Sequence, residues 1–259
     1  MSQIPVSLIL TTFNWPEALD LVLQSVAKQN LRPAQVIVAD DGSTVSTRLI
    51  IDRYKQRLPI ELVWQPDSGF RAARARNLAV LRAEHDYIIF IDGDCLLHPD
   101  FIQNHLKLAR RGKIVAGSRA LISEQETDRL IQNGKTKSND YLFSSHKFSN
   151  LRLGALRDLR PYSWQTVRSC NFGLYKADIV KVKGFDEEYI GWGREDSDFV
   201  VRLVQAGVTV RSGRFAACVA HLYHRERSRD QLSSNDARFE QTLLGTIGPS
   251  ALRSTVGEA

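Results

Sequence analysis

Tyr87-Ile88-Ile89-Phe90-Ile91 runs apolar and unbroken, then gives way at once to Asp92-Gly93-Asp94. An uninterrupted run rich in isoleucine reads as a strand buried on both faces, the kind found inside parallel sheets. The two carboxylates at its end repel each other. A hard divalent cation relieves that repulsion, and a diphosphate can complete the cation's coordination. Gly93 lets the chain turn and keeps the place open. An Asp-Gly turn alone is an ordinary surface feature. The buried strand ahead of this one makes Asp92 and Asp94 candidate metal ligands.

Upstream the same pattern repeats. Val6 to Leu10, Val36 to Ala39 and Ile60 to Trp64 are further strand-like runs. Between them Ala18, Leu19, Val22, Leu23 and Val26 recur at helical spacing behind Pro16, residues 44–56 read as a helix that Ser43 or Thr44 can cap, and Ala72, Ala75, Leu78 and Ala79 mark a third helix. Strands alternating with helices predict a mostly parallel sheet with right-handed crossovers. In such sheets ligands bind at the carboxyl ends of the strands. The clusters that follow the strands are Thr11-Thr12-Phe13-Asn14, Asp40-Asp41-Gly42-Ser43, Asp67-Ser68-Gly69-Phe70-Arg71 and Asp92-Gly93-Asp94. All fall on that one edge. Arg71, Arg74 and Arg76, with Asn77 beside them, open the third helix, where the N-terminal dipole and guanidinium groups favour a phosphate. The glycine loops of P-loop NTPases and dinucleotide-binding dehydrogenases do not occur.

Downstream, residues 123–165 lose periodicity and read as an excursion with short helices. Within it Leu151, Leu153, Leu156 and Leu159 alternate with Arg152, Arg157 and Arg160, followed by Tyr162 and Trp164. This is either a basic amphipathic patch that meets a membrane or a helix packed on the domain. Order returns over Ser169–His224. Gly191-Trp192-Gly193-Arg194-Glu195-Asp196-Ser197-Asp198 sets an indole between two glycines, where its face suits a sugar ring. The carboxylates then open a helix striped by Phe199, Val200, Leu203 and Val204, ending near Gly207. A helix N-terminus favours the ionised carboxylate that a general base needs. His221 and His224 follow a strand-like stretch from Phe215 to Ala220, and either can offer an imidazole to a metal held by Asp94.

Composition bounds the rest. The 259 residues carry a formal net charge of +6 and a pI near 9.3, which favours anionic partners. Zinc-finger, KH and RRM signatures are absent, so nucleic acid is not the expected partner. Cys95, Cys170 and Cys218 are odd in number and form no Cys-x-x-Cys pair, which fits a reducing cytosol. The first residues lack a signal-peptide pattern, and no run reaches the ~20 apolar residues of a membrane helix. The expectation is a cytoplasmic protein that meets the inner membrane only peripherally. Residues 1–245 read as one domain, with a first half (1–122) and a second half (123–245), and 246–259 as a flexible tail.

The stretch from Gly184-Phe185-Asp186-Glu187 through Asp198 resembles the C-terminal motif of β-1,4-galactosyltransferases, polypeptide N-acetylgalactosaminyltransferases and bacterial chondroitin-type polymerases. With the strand-end motifs, the chain from Val6 to His224 is similar to family 2 glycosyltransferases of the GT-A fold. That resemblance implies a Rossmann-like α/β sheet flanked by helices, with a smaller mixed C-terminal portion on the acceptor side. It implies a UDP-sugar donor, a saccharide or lipid-linked saccharide acceptor, and Mn(II) or Mg(II). Thr11, Asn14 and Asp41 would line the uridine pocket, and Asp94 would bind the metal directly. His224, in Leu222-Tyr223-His224-Arg225-Glu226, resembles a metal-binding histidine of the polymerases, and His221 stays open beside it. Asp196 would be the general base of an inverting transfer, with Trp192, Gly193 and Glu195 meeting the acceptor. The galactosaminyl relatives retain configuration, so the motif alone does not fix stereochemistry. Bacterial surface-polysaccharide or lipopolysaccharide synthesis is the expected setting. Two alternatives are a sugar-phosphate nucleotidyltransferase, which should carry a glycine-rich loop where Thr11-Thr12-Phe13-Asn14 stands, and a non-catalytic basic nucleotide- or nucleic-acid-binding module.

Overall fold

The computed structural model describes residues 4–134, 163–214, 216–225 and 228–249. Four buried runs become strands: β1 (Val6–Thr12), β2 (Gln35–Asp40), β3 (Ile60–Trp64) and β4 (Tyr87–Asp92). Helices α1 (Pro16–Ala27), α2 (Val45–Tyr54) and α3 (Ala72–Arg82) connect them. Pro16 opens α1, where its missing N–H costs nothing. β5 (Cys95–Leu97), α4 (Phe101–Leu108), β6 (Lys113–Ala116), β7 (Ser118–Leu121) and α5 (Glu124–Asn133) follow. After a 3₁₀ turn at Trp164–Thr166 come β8 (Asn171–Tyr175), α6 (Lys176–Lys181), α7 (Glu195–Gln205), β9 (Thr209–Ser212), β10 (Cys218–His221) and α8 (Leu232–Leu243).

The large sheet runs β3-β2-β1-β4-β8-β6-β9. All neighbours are parallel except β8, which is antiparallel to β4 and β6. Strand order reverses direction between β1 and β4, the point where an α/β sheet opens a crevice. The cores lie on its two faces. One gathers α1, α2 and the small sheet against Leu8, Leu10, Val36 and Val38; the other gathers α3 and α7 against Ile9, Ile37, Ile88 and Phe90. Alanines 73, 75 and 79 let α3 lie close to the strands.

The small sheet, β5-β10-β7, is where sequence patterning was weakest. The strand-like stretch from 215 shortens to β10, because the amides of Ala216 and Ala217 both bond to the Gly213 carbonyl in a turn. His105 and Asn171 join the sheets. The Asn171 amide donates to the carbonyls of Ser118 and Ala217, so its Oδ1 must accept from His105 Nε2 at 3.0 Å. Burial holds His105 neutral, its pKa pulled down to about 4. Of the amphipathic patch, only Trp164 is among the described residues. It packs edge-on against Phe239 of α8, ring centroids 5.3 Å apart. Among the described residues no helix is long and apolar enough to cross a membrane.

Candidate active site

Strand register lines up the first half of the site. Thr12 lies opposite Asp40 and Thr11 opposite Asp92, so three strand ends finish level. The Asp41 amide bonds to Thr12 O and the Gly93 amide to Thr11 O, which carries the alignment one residue further. Gly42 sits at φ +97°, and a Cβ there would come within 2.4 Å of the Asp67 backbone nitrogen. Asn14, also at positive φ (+46°), accepts from the Thr44 amide, while Ser43 Oγ accepts from the Asn14 amide. Thr44 stands at the N-cap of α2 without a side-chain capping bond, and both Ser43 and Thr44 tie the β1 loop to the β2 loop. Asp41 is buried, and its oxygens accept from Gln65 Nε2 and the Arg71 amide.

These ends form one wall of a cleft of about 890 Å³. Thr11, Asn14, Asp41, Arg76, Asp92, Asp94, Trp192, Gly193, Glu195, Asp196, His221 and His224 all line it. Two expected donor residues do not. Asn77 is buried beneath α3, where its amide donates to Phe185 O and Glu187 and accepts from the Phe185 amide. Arg71 contributes its backbone to Asp41 and turns its side chain to Ser68 O. Helical spacing from Arg71 carries Asn77 round to the packed face, which outweighs its nearness in sequence to the phosphate-favouring helix start.

Pairing of β5 with β10 sets His221 opposite Cys95, and the Leu222 amide bonds to Asp94 O. Asp94, His221 and His224 thereby converge, with ligand atoms all within 4.8 Å of one another. His221 Nε2 lies 3.6 Å from Asp94 Oδ1 and His224 Nε2 lies 3.4 Å from Oδ2. Both histidines left open by sequence lie beside the Asp94 carboxylate. Asp92 stands outside this group. Its Oδ1 lies 3.3 Å from Arg76 Nη2.

Arg76 also donates to Glu195 Oε1 at 3.1 Å. It is buried, lies over the Phe185 ring, and so joins the strand edge to the start of α7. Arg76 lines the cleft and gives one Nη donor to each of two carboxylates, while its Nε has no hydrogen-bond partner among the described residues. Burial and the adjacent Asp196 carboxylate push the Glu195 pKa up to about 7, against the pull of Arg76. Asp196 accepts from the Ser169 and Ser197 amides.

The turn before α7 needs Gly191 (φ +77°), Gly193 (φ +106°) and Arg194 (φ +76°) in the left-handed region. Trp192 is 40% exposed, and the Arg229 guanidinium lies 5.0 Å from its ring centre. Helix α8 holds this loop, a role sequence reading did not see. Asn235 Nδ2 points at the carbonyls of Ile190 (3.1 Å), Trp192 (3.5 Å) and Gly193 (3.0 Å), Arg238 pairs with Asp186, and Thr242 donates to Asp198. Asp198, the last acid of the motif, is thus structural, clamped also by Arg202.

Comparison with known proteins agrees with this geometry. A family model described as glycosyl transferase family 2 matches residues 7–182, and one described as the N-terminal domain of galactosyltransferase matches 155–225. Validoxylamine A glucosyltransferase of Streptomyces hygroscopicus subsp. limoneus is 30% identical over 233 residues, which cover 82% of this chain and 51% of that protein. The chain spans about half the length of the curated relatives it matches first. Two solved structures share the fold. TarS 1–349 of S. aureus with UDP-GlcNAc superposes at a TM-score of 0.67 and 16% identity, covering 93% of this chain and 67% of that one. A mannosyltransferase of Pyrobaculum calidifontis with GDP-Man and Mn2+ gives 0.64 and 17%, covering 97% and 66%. With a GT-A sheet, an acid-and-histidine cluster at its switch point and a matching model over most of its length, this chain belongs to glycosyl transferase family 2.

Proposed function

We propose that the protein is a metal-dependent inverting glycosyltransferase that moves a hexose or N-acetylhexosamine from a UDP-sugar to a saccharide or lipid-linked saccharide. One observation carries this reading: Asp94, His221 and His224 converge in the same cleft as Asp196. Residues 1–122 serve the donor and 123–245 the acceptor. Uridine is favoured by the resemblance of Thr11, Asn14 and Asp41 and by the UDP-GlcNAc bound to TarS. The setting is surface-polysaccharide or lipopolysaccharide synthesis, from the likeness to chondroitin-type polymerases.

Two imidazoles and one carboxylate suit a transition metal better than Mg(II), which prefers oxygen ligands. Mn(II) fits, as bound to the Pyrobaculum enzyme. When bound, the cation neutralises the diphosphate and stabilises the departing nucleotide. Asp196 takes the proton of the acceptor hydroxyl. That oxygen bonds to the anomeric carbon from the face opposite the phosphate, and the carbon–phosphate oxygen bond breaks. Glu195 hydrogen-bonds the acceptor and Trp192 supports its ring. Asp92 and Arg76 hold Glu195 in place.

Thermal shift and slow donor hydrolysis with UDP-, GDP- and CMP-sugars, in Mn(II) or EDTA, test this directly. One UDP-sugar should give a shift and hydrolysis that EDTA abolishes. Silence with every nucleotide sugar sinks the proposal. Asp196→Asn should keep donor binding and lose about 10²–10⁴ in transfer rate, and normal turnover would remove the base from Asp196.

A further inference from the structure

The cleft has an acidic floor and a basic mouth. Asp41, Asp92, Asp94, Glu195 and Asp196 line its interior. At the mouth stand Arg119, Arg168 and Arg225, all exposed, and none has an ion-pair partner among the described residues. The other arginines nearby are used differently: Arg76 by Asp92 and Glu195, Arg194 by Asp236, and Arg229 by the Trp192 ring it lies over.

Position separates these three from the nucleotide pocket at the ends of β1 and β2. Arg168 directly precedes Ser169, whose amide bonds to Asp196. Arg225 follows His224. Arg119 pairs with Val219 across β7 and β10, on the same face as Leu121, which pairs with His221. Tyr223 and Trp192 expose apolar faces in the same cleft, 41% and 40% accessible. Aromatic faces beside forked guanidinium groups make a surface for sugar rings that carry negative charge. A rim of like cations also draws an anionic ligand towards carboxylates that would otherwise repel it.

We propose that the acceptor is an anionic glycan whose carboxylate or phosphate groups are held by Arg119, Arg168 and Arg225 at the cleft mouth. This rests on the glycosyltransferase reading above.

Isothermal titration calorimetry on the full chain with UDP and Mn(II) tests it with two matched pairs. Digalacturonate is compared with neutral galabiose, and mannose 6-phosphate with mannose. At low salt the charged member of at least one pair should bind about tenfold tighter, a gap that narrows as salt screens it. Preference for digalacturonate assigns an acidic sugar, and preference for mannose 6-phosphate assigns a phosphorylated one. The variant R119A/R168A/R225A should lose the preference. Equal binding within both pairs overturns the inference, and that comparison needs no variant. Survival of the preference in the triple variant does so too. So does loss of UDP affinity in the variant as large as its loss for the charged sugar, which would give the arginines to the donor. Metal-dependent UDP binding by the unaltered chain separates the failures. If it is present without charge preference, only this inference falls; if it is absent, the glycosyltransferase reading falls with it.

Discussion

The two ends of the cleft are built by different means. At the proposed donor end, Thr11, Asp41 and Asp92 are placed by the ladder of three parallel strands and two backbone bonds between neighbouring strand ends. At the catalytic end, the Gly191–Arg194 turn has three residues at positive φ and is gripped by side chains from α8. A backbone ladder is hard to disturb with one substitution. A loop held largely by side-chain contacts to one helix is not. Changes at the donor end should therefore act only where they remove a group that does chemistry, while changes at the catalytic end should act at a distance.

The largest expected effect follows at the donor end. Asp94→Ala removes the carboxylate on which both histidines converge. Lewis-acid stabilisation contributes several kcal/mol, so turnover should fall on the order of 10³-fold. The Mn(II)-dependent thermal shift with UDP should vanish, and the fold should stay intact because the β1–β4 register does not involve this side chain. A shift of normal size in Asp94→Ala would remove the metal from this cluster.

A second effect tests the joint between the sheets. His105 is fully buried and neutral, with a pKa near 4 against an ordinary 6.5. The unfolded chain takes up a proton on this group between those values and the folded chain does not. Stability is therefore whole above about pH 6.5 and is lost as pH falls towards 4, by up to about 3 kcal/mol. Denaturant melts across that window should show the decline. His105→Gln keeps an N–H donor for Asn171 and removes the titration, so its curve should be flatter. An unchanged slope would place the acid sensitivity elsewhere.

What could be read from sequence divides along the same line. β1 to β4 emerge within a residue or two because continuous apolar runs are what a doubly covered parallel sheet demands. The polar clusters at their ends then fall on one edge by topology alone. β5, β7 and β10 are three or four residues each, too short for a periodic signal. Helix α8 was missed because its buried positions include Asn235 and Thr242, polar residues whose partners lie far off in sequence. Asn77 and Arg76 show the same limit. Residue type and a helix start suggested phosphate, but the carbonyl of Phe185 and the carboxylate of Glu195, both brought by later chain, decide where these side chains go.

The smallest effect sharpens the comparison most. Asn235 reaches the loop only through backbone carbonyls, those of Ile190 at 3.1 Å, Gly193 at 3.0 Å and Trp192 at 3.5 Å. Asn235→Ala leaves those carbonyls short of a buried donor, at a cost of about 1–3 kcal/mol in stability. The loop that starts α7 loses its hold, so Asp196 and Trp192 drift relative to the acceptor. Misplacement of this kind lowers kcat, here by about tenfold, without touching the strand ends proposed to bind nucleotide. Steady-state kinetics with a UDP-sugar should show kcat reduced and the donor KM within about twofold of normal. If the donor KM rises and kcat holds, the two ends are one mechanical unit, and the division between ladder and loop is wrong. If neither moves, the grip of α8 serves folding alone, and the positive-φ turn holds its shape through its own glycines.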